Sequence, residues 1–178
     1  MAEKTANRDV IRRHLEYLKF YPKSVEAHYN LGLAYVQAGE TDKALEAFQK
    51  AIELRPDLIE AYINMGGVYF QQGKLEESIR ANQQALELRP DALQAHSNLA
   101  FAYLQKADWE AAIEAAERAL EIDPALPVAY YHLAIANHHL GRDSEALLHL
   151  DKAGELGFQV DKAFRKEVES RAAAERTS

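Results

Sequence analysis

The spacing of the prolines limits what this chain can fold into. Pro22, Pro56, Pro90 and Pro124 follow one another at intervals of 34 residues, and Pro127 is the only other proline in 178 residues. The pentapeptide ELRPD stands at 53–57 and again at 87–91, with a weaker copy, EIDPA, starting at Glu121. A fixed period of this size marks an architecture of stacked repeats. Proline lacks the backbone N–H and clashes with the preceding turn, so it closes helices. Between successive prolines there is room for two helices of about a dozen residues and two short turns.

Aligned on the prolines, the chain divides into Val25–Leu58, Ile59–Ala92, Leu93–Leu126 and Pro127–Val160, flanked by 1–24 and 161–178. The eighth places hold Gly32, Gly66, Ala100 and Ala134; the twentieth, Ala44, Ser78, Ala112 and Ala146; the twenty-seventh, Ala51, Ala85, Ala119 and Ala153. Small residues there let antiparallel helices approach to about 8 Å. Large apolar residues fill the rest of the seam: Leu31, Met65, Leu99 and Leu133, then Tyr35, Tyr69 and Tyr103. In the second helix Leu45, Ile79, Ile113 and Leu147 recur, followed by Ile52, Leu86 and Leu120, a helical period kept in phase. Gly39, Gly73 and Gly141 suit left-handed caps at the turn inside each unit. The third unit has Ala107 there, which predicts a strained or shifted turn with Trp109 packed nearby.

This pattern resembles the tetratricopeptide repeat family, whose motif has small residues at places 8, 20 and 27 and proline at 32. The resemblance covers Val25 to Val160 and implies an all-α, right-handed superhelical solenoid of helix–turn–helix repeats. The fourth unit departs most, with Asn137 in place of tyrosine, Gly154 inside its second helix and Phe158 in place of proline. The segment 1–24 reads as half a degenerate repeat, with Leu18 and Phe20 at apolar places and His14 and Tyr17 fitting poorly. Its Arg8, Arg12, Arg13 and Lys19 keep a dimer contact or a peripheral membrane contact open as alternatives. The segment 161–178 puts Ala163, Phe164 and Val168 on one stripe and charges elsewhere, as expected of a terminal cap.

Composition narrows the function. A net charge of −7 and a pI near 5.5 argue against general affinity for nucleic acid or anionic membrane. With no cysteine, disulfides, thiolate metal sites and cysteine nucleophiles are excluded. No apolar run approaches the roughly 20 residues that insert across a bilayer, and the first 22 residues have no signal-peptide apolar core. A cytoplasmic location is expected. The chain has no phosphate loop, nucleophile elbow or HExxH, so an enzyme is not expected, and neither is a cofactor. The clustered His132, His138, His139 and His149 lack the i, i+4 spacing of helical metal pairs, so no metal site is expected.

The resemblance places the partner-binding residues on the first helix of each unit, at places 2, 5, 6, 9, 12 and 13. Place 6 holds Asn30, Asn64 and Asn98, and place 13 holds Gln37, Gln71 and Gln105; in the fourth unit both rows end in histidine, His132 and His139. Between the rows lie Tyr29, Leu33 and Val36, then Ile63 and Phe70, Phe101 and Leu104, and Tyr131 and Ile135. A side-chain amide donates and accepts, so regularly spaced amides suit the backbone of an extended peptide. The apolar strip suits an amphipathic helix equally. If the terminal histidines meet an acidic part of the ligand, protonation below roughly pH 6.5 strengthens binding.

Family members that grip the C-terminal carboxylate of the Hsp70 or Hsp90 chaperones carry lysine at place 5 and asparagine at place 9 of one unit. Here those places hold Tyr29 and Leu33, and only the asparagine at place 6 survives, so that ligand is not expected. The expected role is a protein-interaction scaffold binding a protein or peptide in its concave groove, as an adaptor, assembly factor or cargo-specific chaperone. A self-associating structural module (a homo-oligomer) and an enzyme regulator using its convex surface are the alternatives.

Overall fold

The computed structural model describes residues 2–175; Met1 and residues 176–178, which belong to the two flanking segments, lie outside the described residues. Among the described residues, regular structure is entirely α-helical: α1 (Ala2–Phe20), α2 (Val25–Ala38), α3 (Thr41–Leu54), α4 (Ile59–Gln71), α5 (Leu75–Leu88), α6 (Leu93–Gln105), α7 (Trp109–Ile122), α8 (Pro127–His139), α9 (Asp143–Glu155) and α10 (Lys162–Glu175). The chain forms two compact units, one ending at Pro90 and the other starting at Asp91.

In the first unit, α2 packs on α3 and α4 on α5, with α1 lying on α2. Close approach is set by what stands opposite each glycine. A Cβ on Gly32 would lie 2.5 Å from the Phe48 ring, and one on Gly66 2.2 Å from Asn82 Nδ2. Phe48 and Asn82 are fully buried. Asn82 satisfies its amide by donating to the Ser78 carbonyl at 2.8 Å. The core runs from Ile11 through Leu31, Tyr35, Phe48 and Ile52 to Met65 and Val68. Leu18 of α1 packs against it, as its apolar place implies. Phe20 does not: it is 80% exposed. It occupies place 30, whose Leu88 and Ile122 are also exposed in the complete helix pairs.

Each turn inside a pair closes the same way. Gly39, Gly73 and Gly141 have φ of 74°, 71° and 72°. The N–H of the following residue bonds back five residues, as Lys74 does to the Tyr69 carbonyl at 2.9 Å. Ala107 adopts this conformation at φ 58°, the one positive φ of a non-glycine residue among the described residues. The turn is strained but not shifted, since Ala107 N–H still reaches Leu104 O and Asp108 N–H reaches Tyr103 O. Trp109 packs close by, against the cluster of Leu104, Ala112 and Ala136. An L-residue in this region carries an energetic penalty that glycine escapes. Ala107→Gly should therefore raise stability by about 0.5–1 kcal/mol, read as a shifted urea midpoint at constant slope.

In the second unit α6 packs on α7 and α8 on α9, and α10 covers α9. Phe158, in place of the proline, packs against Tyr131 with ring centroids 4.6 Å apart and planes tilted by 31°. Val168 and Ala172 of α10 are buried, Val168 among Ala134, Ala146 and Leu150. Polar contacts fix the same helix. Buried Asp143 is paired with His138 Nδ1 and, at 3.0 Å, with Arg171 Nε. Arg142, the residue before α9, supplies no side-chain cap. Instead Glu175, the last residue of α10, accepts from the N–H groups of Asp143 (2.7 Å) and Ser144 (2.9 Å). A carboxylate there satisfies orphan donors and complements the helix dipole. Those bonds hold the Glu175 carboxyl below its ordinary pKa.

Candidate partner-binding faces

The first-helix faces differ between the two units. In the first unit, α2 and α4 present Asn30, Gln37 and Gln71 as exposed amides, with Tyr29, Leu33, Val36, Ile63, Asn64 and Phe70 half-buried beside them. The two helices are tied by Asn64, whose Nδ2 donates to Tyr29 Oη at 3.0 Å and to its own helix at Glu60 O, 2.7 Å. Both amide hydrogens of Asn64 are thereby engaged. What it offers a ligand is its carbonyl oxygen, an acceptor only. Burial raises the pKa of the Tyr29 phenol, which stays neutral and can donate in turn. Gly67 lies between Ile63 and Phe70 in sequence, and a Cβ there would meet nothing within 4 Å, so the backbone is open to solvent at this point.

In the second unit the asparagine row does not continue as an open ladder. Asn98 accepts from Gln94 at 2.9 Å on the same helix. His132 is buried and stacks on Phe101, centroids 5.6 Å apart and planes within 3°. Its Nδ1 is buried with no hydrogen-bond partner among the described residues. Burial lowers its pKa from 6.5 to about 4. The expectation that His132 would gain charge below pH 6.5 and meet an acidic ligand is therefore revised: the ring stays neutral through that range. Leu104 also belongs to the core, buried against Ala112 and Ala136, and so lies off the open strip. Phe101 and Gln105 are exposed, and Tyr131 and Ile135 half-buried. His139 is exposed at one edge but lies flat on Trp109, centroids 4.1 Å apart. Gln37, Gln71 and Gln105 at place 13 are exposed, while at place 6 Asn30 is exposed, Asn64 and Asn98 are hydrogen-bonded within the protein and His132 is buried.

Two features escaped the sequence reading. Asn137, in place of the tyrosines, is buried and donates to Leu133 O at 2.9 Å, which the i, i+4 option of a short amide could have suggested. A cavity of about 220 Å³ at the amino-terminal end is lined by His14, Tyr17, Ser24, Glu26, Ala27 and Asn30. His14 and Tyr17 signalled it by fitting their places badly. Among the described residues, no three histidine or acidic side chains are placed to hold a metal ion, and no helix is long and apolar enough to cross a membrane.

In-phase helix pairs with small residues at the crossings and exposed polar side chains on the first helices define a helical-repeat interaction scaffold. Tetratricopeptide repeat models match residues 15–46, 57–125 and 102–157, and a TPR repeat model matches 32–73. The chain belongs to the tetratricopeptide repeat family. Among solved structures, MamA shares 30% identity over 82% of this chain and 85% of its own, with a TM-score of 0.78. YrrB, described as a TPR protein with an unusual peptide-binding site, shares 19% over 93% and 84%, with a TM-score of 0.76. PilF from Pseudomonas aeruginosa shares 21% over 98% and 90%, with a TM-score of 0.75. At those identities YrrB and PilF speak for the fold alone. No curated protein matches the chain in sequence.

Proposed function

We propose that the protein is a non-enzymatic adaptor that binds an extended segment of a partner protein on its first-helix faces, above all on α2 and α4. The observation that carries this reading is the first unit's surface. Exposed Gln37 and Gln71 stand in equivalent places on neighbouring first helices, beside half-buried Leu33, Ile63 and Phe70. Paired amides offer a peptide backbone both donors and acceptors, and the apolar strip takes its side chains. Gly67, with no side chain and open space above it, leaves room for a ligand between Ile63 and Phe70. YrrB, whose fold this chain shares, is described as having a peptide-binding site. The side chains named here are this chain's own. The protein would act as an assembly factor or cargo-specific chaperone in the cytoplasm.

A peptide selected on the intact protein from a random display library should lose at least about tenfold in affinity on Gln37→Ala with Gln71→Ala, roughly 1 kcal/mol per lost hydrogen bond. Phe70→Glu should weaken binding at least as much. Each measurement is a fluorescence-anisotropy titration beside a thermal melt. Unchanged affinity in both variants moves the site off these helices.

A further inference from the structure

The amino-terminal helix has the register of a second helix, and among the described residues no first helix pairs with it. It ends at Phe20, two residues before Pro22, as α3 ends at Leu54, two residues before Pro56. In the complete pairs, places 20, 24 and 27 of the second helix face the first. Ala44, Phe48 and Ala51 are fully buried there, and so are Ser78, Asn82 and Ala85. The same places on α1 are Val10, His14 and Tyr17. Val10 is 38% exposed, Tyr17 is 49% exposed and His14 is half-buried. The chain does not fold back to cover them at the usual point, because α1 is helical from Ala2 through the positions where the turn inside a pair would fall.

The uncovered face is concave. Beside the cavity under His14, Tyr17 and Asn30 lies a second, of about 420 Å³, lined by Tyr17, Tyr21, Pro22, Lys23 and Ser24. Tyr17 and Ser24 line both, and Tyr17 stacks on Tyr21 with ring centroids 4.6 Å apart. From Arg8 to Glu26 the chain carries five basic residues (Arg8, Arg12, Arg13, Lys19, Lys23) against Asp9, Glu16 and Glu26, the last of which lines the smaller cavity, in a protein of net charge −7.

We propose that this face is a second interaction site, which takes an amphipathic α-helix of a partner protein and so completes the missing helix pair. The partner's chemistry follows from the register and the charge. Val10 and Tyr17 are bulkier than the Ala44 and Ala51 they replace. The covering helix therefore needs glycine or alanine at its centre, as Gly32 serves against Phe48. Apolar residues one turn to either side of that centre fill the two cavities. Carboxylates along the rim meet Arg13 and Lys23. A second copy of this chain would set one basic segment against another. A bilayer would lie across the two cavities without filling them.

The test uses the full chain and two synthetic helical peptides of about 18 residues with the same Ala/Leu face, one rimmed by glutamate and the other by lysine. The glutamate peptide should bind at least tenfold more tightly than the lysine peptide, and less tightly as salt rises. Tyr17→Glu should abolish binding while the melting temperature holds, and Leu148→Glu, at a 68% exposed position of α9, should leave it unchanged. Should Tyr17→Glu lower the melting temperature, Tyr17→Ala replaces it, with a loss of at least fivefold expected. Equal binding of the two peptides, or none, overturns the proposal. So does a concentration-dependent doubling of mass that Tyr17→Glu removes, which assigns the face to a second copy. Sedimentation with phosphatidylglycerol vesicles that depends on Tyr17 also overturns it, assigning the face to a membrane.

Discussion

Deletion of residues 161–178 should lower the melting temperature by roughly 10–20 °C or cause aggregation, the first of the two largest effects expected. The deletion uncovers Leu150, Ala134 and Ala146, which Val168 closes off from water. It also strips the edge contacts of Phe164 from Tyr131 and His138. Burial of a valine side chain is worth about 1.5–3 kcal/mol. A polar loss adds to it. Asp143 is 2% exposed and would keep His138 but lose Arg171, and the Asp143 and Ser144 N–H groups would lose Glu175. Removing one partner of a fully buried charged group costs about 3–5 kcal/mol, and the value here lies toward or below the lower end because Arg171 is half-exposed and the deletion opens Asp143 to water. Losses near 5 kcal/mol correspond to the stated shift for a chain of this size. Arg171→Met, which keeps α10 in place, should separate the charge contribution from the apolar one. A truncated protein that stays monomeric and melts at the wild-type temperature would show that α10 is not a cap.

The second large effect is a loss of stability in acid traceable to one ring. His132 is neutral and buried in the folded protein with a pKa of about 4, against 6.5 for an open histidine. Between those values the unfolded chain binds a proton that the folded chain refuses. Stability therefore falls as pH drops through that window, and levels off below about 4. The depression corresponds to about 3 kcal/mol across the window. His132→Leu fits an apolar site and removes the unpartnered Nδ1, so it should be neutral or stabilising at pH 7. Urea unfolding at pH 7 and pH 4.5, wild type beside variant, reads the difference directly. Other groups that titrate in the range, such as His149 with its pKa also lowered by burial, cancel in the comparison. Parallel pH profiles would mean that His132 titrates normally.

What the sequence made legible is what repeats. Proline at a fixed interval and small residues in phase predicted helices, left-handed turns and the crossings at Gly32 and Gly66, because those depend on backbone shape and side-chain volume at single places. The predicted strain at Ala107 followed from the same logic and appears as its positive φ. The candidate binding faces were less legible. Place 6 looked like an open row, yet Asn64 spends its amide hydrogens on Tyr29 and Glu60, and Asn98 accepts from Gln94. A register gives the direction in which a side chain points, but not which neighbour reaches it first. His132 followed the asparagines in register and differed in burial, because Phe101 provides a flat surface for its ring. Phe20 held an apolar place that faces outward in this fold. The latch of Asp143, Arg171 and Glu175 joins residues of two helices at no repeating interval, so no periodicity could show it.

Residue-resolved amide NMR of the intact protein, titrated with a display-selected peptide, most directly tests the central claim that the first-helix faces bind the partner. The account predicts that the largest shifts fall on the backbone of α2 and α4 and on the side-chain NH₂ signals of Gln37 and Gln71. The Asn64 signals should move little, since its amide hydrogens are already bonded within the protein. Shifts confined to α3 and α5, with the glutamine signals of α2 and α4 unmoved, would contradict it.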